Sequence, residues 1–444
     1  MPGDVRLPVG VTAILIAIAI IVLVVTDAQD NDDALVGKVT SQPDLTPSPW
    51  LALPEWVAGS PDVLNEFYFT GSILDVETGE VWHVTAPGRL RQGEQSPVTV
   101  DFLGWTPQSE ALIGVGGGGR TALHTGEPGG ELRHWITVDG SGIRRIDVRW
   151  SPDGDLIAIG DLIVNAATGE TVTELLPGSR IGWSADSRFF AVADSARDIP
   201  TVVAWDRETG LMEEAPLATD GVWSALGHRL AYAPERPAAT EERLNQILIT
   251  DFGTGPLSGE SSLAQVRGYG VTPVAWSSNG NFLIAEVSTR PIGEGGFPEH
   301  HIVNLETGAT TAIIDGAWLP RWSPRDDTIV FIGNICSEFD IFTVQADGTA
   351  LTNHTESEEL DLWPRWSPDG ESIVHTAYRE DRVTLVITSI DDGTGRTVLS
   401  LPFDALSPLA WSPDSGYIAF RWGGGRGLCE GSLDRQETRV RLPE

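Results

Sequence analysis

Trp150-Ser151-Pro152-Asp153-Gly154 is a five-residue phrase that returns unchanged at Trp366-Ser367-Pro368-Asp369-Gly370. With its altered copies the phrase occurs eight times, beginning at Trp105, Trp150, Trp183, Trp223, Trp276, Trp322, Trp366 and Trp411. The intervals between successive copies are 45, 33, 40, 53, 46, 44 and 45 residues. A period of this size is typical of a repeat architecture, so the fold is expected to consist of similar units.

The phrase predicts a tight turn between two strands. Pro152 presets the φ angle of the second turn position, and Asp153 can accept hydrogen bonds from nearby backbone. Gly154 supplies the positive φ that leads into a following strand, and the apolar run 156–159 comes directly after it. The tryptophan therefore ends one strand, and its large area is expected to pack between neighbouring units.

Each unit continues with two further strands. A third strand leads into an acidic or Thr-Gly turn, as at 75–79, 206–210 and 304–308. A fourth strand follows, as at 81–85 and 171–175. Four short strands per period describe a propeller blade. We therefore predict an all-β fold, a single β-propeller of four-stranded blades over residues 62–444.

Eight phrases predict eight blades, with seven as the alternative. Residues 62–85 add strand-like sequence before the first phrase. They either pair with the C-terminal unit and close the ring, or form an eroded extra unit that begins near Trp56. Closure is favoured because an open ring exposes strand edges.

Two segments of the repeat carry a resemblance to a known family. The phrase is joined by Ala346-Asp347-Gly348-Thr349-Ala350-Leu351-Thr352 and by Asp361-Leu362-Trp363-Pro364-Arg365-Trp366. Together these resemble the TolB-type propeller repeat, over about 62–444. The resemblance implies the fold and a periplasmic compartment. It does not imply the Tol role, since the N-terminal α/β domain of TolB proteins has no counterpart here. The same repeat type also occurs beside peptidase domains and in some lyases.

The start of the chain predicts export. Residues 9–25 carry no charge, Arg6 precedes them and an acidic run follows. We interpret 1–8 as a cytoplasmic N-terminus, 9–26 as a transmembrane signal-anchor helix and 27–61 as an acidic, proline-rich linker. Because positive charge stays inside, the propeller is expected outside the cytoplasm. The alternative is a signal peptide cleaved near Ala28, which would release a secreted protein.

The charge balance limits the class of partner. The chain has 63 acidic and 29 basic residues, a net charge of −34. Nucleic acid is disfavoured as a partner because phosphate binding needs a basic surface. A protein or glycan of the cell envelope is the expected partner, and the oligomeric state stays open.

Few residues point to chemistry. The glycine run 114–119 lies between predicted strands, whereas a dinucleotide loop needs a strand followed by a helix. His300 and His301 are adjacent in an extended segment, so their side chains point to opposite faces. His354 and His375 could face a central channel. We assign no catalytic residue, and we expect no cofactor and no metal site.

The predicted function is a membrane-anchored, extracytoplasmic and non-catalytic binding or scaffold module. Arginine and aromatic residues are common anchors of protein interfaces. The longest predicted loops, Pro234–Asn245 and Ser288–His301, contain the candidate partner-binding residues Arg236, Arg243, Arg290, Phe297 and His301. The alternative is an exported propeller enzyme that acts on a polysaccharide or peptide through His354 or His375.

Overall fold

The fold is an eight-bladed β-propeller, seen in a computed structural model. The structure describes residues 39–40, 72–83, 99–117, 120–128, 130, 133–139, 148–194, 199–216, 221–234, 243–253, 261–290, 298–313, 317–335, 338–357, 359–379, 382–402 and 406–422. In each blade the strands are antiparallel, and in the first seven blades four consecutive strands lie side by side, whereas the eighth blade combines strands from two parts of the sequence. The first strands of successive blades contact one another, so they form the inner wall of the ring.

The strands of the first four blades have the following bounds: β4 (Thr99–Trp105), β5 (Ala111–Gly117), β6 (Arg120–Gly126) and β7 (Arg133–Asp139); β8 (Val148–Trp150), β9 (Leu156–Ile159), β10 (Leu162–Asn165) and β11 (Thr171–Glu174); β12 (Ser179–Trp183), β13 (Phe189–Asp194), β14 (Thr201–Asp206) and β15 (Met212–Pro216); β16 (Val222–Trp223), β17 (Arg229–Tyr232), β18 (Arg243–Asp251) and β19 (Ser261–Gly268).

Blades five to eight have these strands: β20 (Gly270–Trp276), β21 (Phe282–Ser288), β22 (Glu299–Asn304) and β23 (Thr310–Ala312); β24 (Trp318–Trp322), β25 (Thr328–Ile335), β26 (Glu338–Gln345) and β27 (Thr352–Asn353); β28 (Leu360–Trp366), β29 (Ser372–Tyr378), β30 (Arg382–Ser389) and β31 (Gly395–Pro402); β32 (Leu406–Trp411), β33 (Tyr417–Trp422), β2 (Ser72–Asp75) and β3 (Val81–His83).

The eighth blade joins the two ends of the repeat region. Its inner strands β32 and β33 come from the C-terminal part of the sequence, and its outer strands β2 and β3 come from the N-terminal part. Ser72 pairs with Phe420 and Asp75 with Tyr417 in an antiparallel register. This pairing confirms the predicted closure. Residues 72–83 belong to the eighth blade, so they form neither part of a seven-bladed ring nor an extra unit that begins near Trp56.

The hydrophobic core lies between the blades. Strand β14 is buried along its whole length, with Val203 and Trp205 packed against Ile163 of the preceding blade. Val374 and Leu385 of blade seven pack in the same way against Phe420 of blade eight. Because each sheet is covered on both faces, its central strands are continuously apolar rather than alternating.

The recurring turn is held by its serine. Ser151 is fully buried, and its Oγ accepts a hydrogen bond from the backbone N of Leu156 at 3.0 Å. The same Oγ donates to Asp153 Oδ1 at 2.6 Å, and Asp153 accepts from the backbone N of Asp155. Gly154 has the expected positive φ of 78°. The serine thus fixes the turn to the strand that follows it.

Neighbouring turns are also tied to each other where serine takes the glycine position. Ser187 has a φ of 63°, and its Oγ accepts a hydrogen bond from the backbone N of Asp153 in the preceding blade at 3.0 Å. Ser415 and Ser109 have positive φ as well and hold the preceding turns at Asp369 and Asp414. A side-chain bond between blades therefore accompanies a backbone conformation that serine rarely adopts.

The tryptophans link the blades through their indole N–H groups. Seven of them donate to the carbonyl oxygen of the residue that precedes the tryptophan of the previous blade, at 2.8–3.4 Å: Trp183 to Arg149, Trp223 to Gly182, Trp276 to Val222, Trp322 to Ala275, Trp366 to Arg321, Trp411 to Arg365 and Trp105 to Ala410. The Nε1 of Trp150 has no partner among the described residues. The expectation that these rings connect neighbouring units is confirmed.

Of the segments predicted before the propeller, the structure describes only residues 39–40. Residues 1–8 and 9–26 lie outside the described residues, and within the described ranges no helix is long and apolar enough to cross a membrane. Val39–Thr40, inside the predicted linker 27–61, pairs with β7 as a fifth strand of blade one. Backbone pairing with an exposed sheet edge explains why this part of the linker is not free.

Candidate binding site

The residue before each repeat tryptophan occupies an equivalent place on the inner wall of the ring. These eight positions, which we call the wall positions, are Gly104, Arg149, Gly182, Val222, Ala275, Arg321, Arg365 and Ala410. Most are small or apolar, so the three arginines stand out. Two of them, Arg321 and Arg365, lie in the adjacent blades six and seven.

A β-bulge precedes the wall position in most blades. In blade seven the register jumps between Leu362 and Arg365, so that Trp363 and Pro364 stand opposite a single residue of β29. Trp363 has a φ of 59°, and Leu319 at the same place in blade six has a φ of 50°. Bulges re-aim the side chains that follow them. Here each bulge consists of a non-glycine residue in the left-handed region followed by proline, and an arginine comes next.

The two wall arginines have an unusual electrostatic setting. Burial lowers the pKa of Arg321. Burial and then the charge of Arg321 lower the pKa of Arg365 to about 10. No carboxylate among the described residues raises either value. Arg321 nevertheless keeps an exposed surface, while Arg365 is half-buried and its Nη1 is enclosed without a hydrogen-bond partner.

A cluster of acids and histidines lies between the same two blades. Asp340 accepts hydrogen bonds from Asn353 Nδ2 at 2.8 Å and Thr355 Oγ1 at 3.0 Å. Asp361 accepts from Ser357 Oγ at 2.9 Å, and His375 Nε2 lies 3.5 Å from the other oxygen of Asp361. We call Asp340, Asp361 and His375 with these hydroxyl partners the interblade cluster.

Burial dominates the protonation of this cluster. It raises the pKa of Asp361 to about 7, against the hydrogen bonds of Ser357 and Thr355, and the charge of Asp340 adds to the rise. It lowers the pKa of His375 to about 4, and the charge of His354 lowers it further. His375 is therefore neutral at pH 7, so its contact with Asp361 is not an ion pair despite the 3.5 Å distance.

His354 and His375 do not both face open space. His375 is 2% exposed and Asp361 is 1% exposed, so both lie within the wall. His354 is half-buried, its Nε2 lies 2.8 Å from Thr343 Oγ1, and burial lowers its pKa. His375 therefore does not open onto the channel, because β29 is the second strand of its blade and is covered on both sides.

The predicted partner-binding residues are distributed over loops and strands. Arg236 and Phe297 lie outside the described residues. Arg243 is the first residue of β18 and pairs with Gly268, and His301 lies within β22 and pairs with Ala285 and Ala312. The expectation that these two are loop residues is wrong, since both strands begin earlier than the proline and glycine signals suggest.

The two predicted loops nevertheless share a face of the ring. Each connects the second strand of its blade to the third, in the neighbouring blades four and five. Arg290, exposed and just after β21, borders the second of them. Antiparallel strands put every such connection at the end of the propeller opposite the tryptophan turns. The described ends of these two connections, with Arg290 among them, therefore lie in one sector of one face.

The histidine pair of blade five is not arranged as a metal site. His300 Nδ1 lies 3.0 Å from the carbonyl oxygen of Ala317, whereas His301 Nε2 lies 3.2 Å from Glu299 Oε2. As adjacent residues of strand β22, the two histidines point to opposite faces of the sheet. In the part of the chain that the structure describes, no group of three histidine, cysteine or acidic side chains could hold a metal ion.

Comparison with known proteins relates the chain to propellers in general. No known family profile matches it. A stretch of 99 residues, 22% of the chain, is 34% identical to the uncharacterized peptidase YuxL of Bacillus subtilis but covers only 14% of that protein. A stretch of 131 residues, 27% of the chain, is 24% identical to the uncharacterized protein Atu1656 of Agrobacterium fabrum and covers 45% of it. The chain thus spans less than half of either relative.

Solved structures with a similar arrangement are distant in sequence. A TolB protein from Agrobacterium tumefaciens is 16% identical, with a TM-score of 0.39 over 81% of this chain and 100% of that one. A eukaryotic initiation factor is 10% identical, with a TM-score of 0.50 over 78% and 88%. Oligogalacturonate lyase from Vibrio parahaemolyticus is 19% identical, with a TM-score of 0.40 over 57% and 74%. At such identities the likeness concerns the fold alone.

Proposed function

We propose that this chain is a membrane-anchored, extracytoplasmic propeller that binds a protein or glycan of the cell envelope and does not transform it. The observation that carries the proposal is the enclosure of Asp361, whose pKa burial raises to about 7, and of His375, whose pKa burial lowers to about 4. A general acid or base must come within hydrogen-bond reach of its substrate. At 1% and 2% exposure these two groups are enclosed by the protein, out of reach of a substrate in the channel.

The binding surface that we favour is the sector of blades four and five at the loop face. The sequence candidates Arg236, Arg243, Arg290, Phe297 and His301 belong to it. A rigid ring that carries long connections on one side suits recognition, because loops on a fixed frame can present anchors without reordering the core. A binding role is compatible with the likeness to TolB structures. It is also compatible with the other similar propellers, which carry names of many different proteins.

The test is capture of an envelope partner by the purified chain. Residues 235–242 and 291–297 are replaced, separately, by Gly-Ser linkers of equal length, which leaves β18 and β22 intact. We expect each replacement to weaken capture and to leave the thermal transition unchanged. Capture that survives both replacements would remove the loops from the proposal.

A point substitution sharpens this test. Arg243→Ala is compared with Arg382→Ala, because both arginines begin the third strand of their blades, three blades apart. Only the first should reduce capture, roughly tenfold or more if it is an interface anchor. Equal losses would mean that net charge, rather than position, governs binding.

The compartment is the second part of the proposal. It rests on the uncharged run 9–25 between Arg6 and an acidic segment. Protease added outside the cell should digest the propeller, and the chain should fractionate with membranes. A soluble product that begins near Gln29 would favour the cleaved signal peptide, and a cytosolic chain would contradict both versions.

Catalysis is the outcome that would overturn the binding role. The purified chain is incubated with envelope polysaccharides and peptides. Turnover that disappears in His354→Gln or His375→Gln would show that the enzyme alternative is right.

A further inference from the structure

We propose that Arg321 and Arg365 form an anion-binding subsite on the inner wall of the ring, which takes a carboxylate or phosphate group. The subsite rests on the proposed binding role for its biological meaning. It lies, however, near the tryptophan turns rather than at the loop face, so it is tested separately.

The positions of the two arginines support this subsite. Arg321 and Arg365 occupy the same wall position in adjacent blades, and the indole of Trp366 donates to the carbonyl oxygen of Arg321 at 3.2 Å. That bond fixes the two inner strands side by side. The charge of Arg321 also contributes to the lowered pKa of Arg365.

The two arginines also lack a counterion among the described residues. In the described part of the chain neither guanidinium has an ion pair, and Nη1 of Arg365 is enclosed without a hydrogen-bond partner. A buried donor without a partner is destabilising, and an unseen ion or water is one explanation for such a group in a native protein. Two neighbouring cations without a carboxylate are unexpected in a chain with 63 acidic residues.

Other arginines show how this fold normally satisfies the group. The partly buried Arg180 donates to the carboxylate of Asp161 and to the carbonyl oxygens of Gly160 and Leu176. Arg149, at the wall position of blade two, reaches the carbonyl oxygen of Ile181 at 3.4 Å. Among the described residues Arg321 and Arg365 have no comparable acceptors, so the structural role that explains the others does not explain them.

The chemistry of the guanidinium group also favours an anionic ligand. A guanidinium offers its donors in a planar fork that matches the two oxygens of a carboxylate or a phosphate, and two adjacent forks match it better than one. The low exposure of Arg365 strengthens the attraction, since the local dielectric is reduced. A nucleic acid is not the expected source, because the rest of the surface is acidic.

The experiment measures anion binding by the full-length chain in a neutral detergent. Inorganic phosphate and acetate are titrated at constant ionic strength with chloride as the balancing ion, and melting temperature and heat of binding are recorded. Ligand binding to the folded state raises the melting temperature. Phosphate tests for a phosphate ligand and acetate for a carboxylate ligand. A response to either one supports the subsite.

Three substitutions decide the assignment. Arg365→Met and Arg321→Met should weaken anion affinity roughly ten- to a hundredfold, the loss of a charge-assisted hydrogen bond. Arg325→Met removes the same charge from the exposed turn after Trp322 and should leave affinity unchanged. Without added phosphate or acetate, Arg365→Met should melt above the parent, because an uncompensated buried cation has been removed.

Three results would overturn the subsite: no response of the parent beyond that to chloride, an unchanged response in both wall variants, or an equal loss in Arg325→Met. If Arg365→Met does not fold, Arg321→Met carries the test, and Arg365→Lys should retain part of the affinity because it keeps the charge without the fork. No partner is used, so failure of envelope capture and failure of the subsite are independent results.

Discussion

The indole Nε1 of Trp105 donates a hydrogen bond to the carbonyl oxygen of Ala410 at 3.4 Å, across 305 positions of the chain. It is the same contact that six other repeat tryptophans make with the preceding blade. The first repeat is therefore bound to the last by the contact that joins six of the seven other neighbouring pairs. Ring closure thus continues the repeat, in addition to the pairing of β2 with β33 in the eighth blade.

The contribution of the indole bond can be measured by comparing two tryptophans. Trp276 is buried and donates to the carbonyl oxygen of Val222 at 2.9 Å, whereas the Nε1 of Trp150 has no partner. Trp276→Phe should destabilise the chain by about 1 kcal/mol more than Trp150→Phe, the typical net value of a hydrogen bond. Urea unfolding checks this. Equal losses would mean that ring packing alone accounts for the tryptophan.

The serine at the left-handed turn position should respond differently to glycine and alanine. Ser187→Ala removes the bond to Asp153 and keeps the unfavourable φ of 63°. Ser187→Gly removes the same bond but relieves the backbone. Alanine should therefore be less stable than glycine by about 1–2 kcal/mol, the cost of the left-handed conformation. Thermal melting of the two variants measures this difference. If the alanine variant is as stable as the glycine variant, the φ of 63° at this position imposes no strain.

A bidentate ion pair within blade three should matter more than one at the surface. Arg188 donates to both oxygens of Asp206 at 3.1 and 2.9 Å, and Asp206 is 1% exposed. Arg188→Met should cost about 3 kcal/mol at neutral pH, because it leaves a buried carboxylate unpaired. Arg207→Met breaks the exposed pairs with Asp153 and Asp155 and should cost below about 1 kcal/mol. A smaller loss for Arg188 than for Arg207 would refute this order.

That pair also makes a prediction about acid. Burial opposes ionisation of Asp206, yet its hydrogen bonds with Arg188 hold the pKa of the carboxyl below its ordinary value. A depressed pKa gives stability above the unfolded value that is lost as pH falls. The difference between parent and Arg188→Met should therefore shrink below about pH 4, where the unfolded carboxylate is protonated. Urea titrations at pH 7 and pH 3 test it.

The interblade cluster should make stability depend on pH in two opposing ways. Burial raises the pKa of Asp361 from 3.8 to about 7, so between these values the folded chain holds a proton that the unfolded chain has released. Unfolding free energy therefore falls as pH rises through that window. Burial lowers the pKa of His375 from 6.5 to about 4, which gives a rise of stability over nearly the same range. In the parent the two effects largely cancel.

Asp361→Asn separates the two effects. The variant should gain stability relative to the parent between pH 4 and pH 7, by roughly 3–4 kcal/mol at most, since one pKa unit corresponds to about 1.4 kcal/mol. Unfolding is followed at pH 4, 5.5 and 7.5, with Glu306→Gln as the control for loss of an exposed carboxylate. A flat difference across this range would show that Asp361 titrates normally.

The sequence predicted the fold because the signal is local and repeated. Pro152, Asp153 and Gly154 determine a turn within five residues, and eight copies left little freedom in the number of blades. Ser151 was missed although it is the most buried residue of the phrase, because its bond to Leu156 requires the next strand to be in position. Periodicity identifies strands but does not state which side chain closes a turn.

The candidate site was less accessible to sequence reasoning. Arg321 and Arg365 are 44 residues apart, and their proximity follows only from the order of blades in the ring. The doubled pattern of a residue, proline, arginine and tryptophan at 319–322 and 363–366 was the available signal. The surroundings of His375 stayed open because a sequence does not show which side chains of a second strand are covered on both sides.

The shared eighth blade has a consequence for biosynthesis. Its outer strands, β2 and β3, leave the ribosome 334 residues or more before β33, the partner of β2 (417 − 83 = 334). Until Tyr417–Trp422 has been made, Ser72–Asp75 can pair only with β3, and the seven other blades form an unclosed arc. The last step of maturation is therefore a long-range docking event that waits for the completed chain. An export route that delivers the polypeptide unfolded would suit it, since the ring would then close only after translocation.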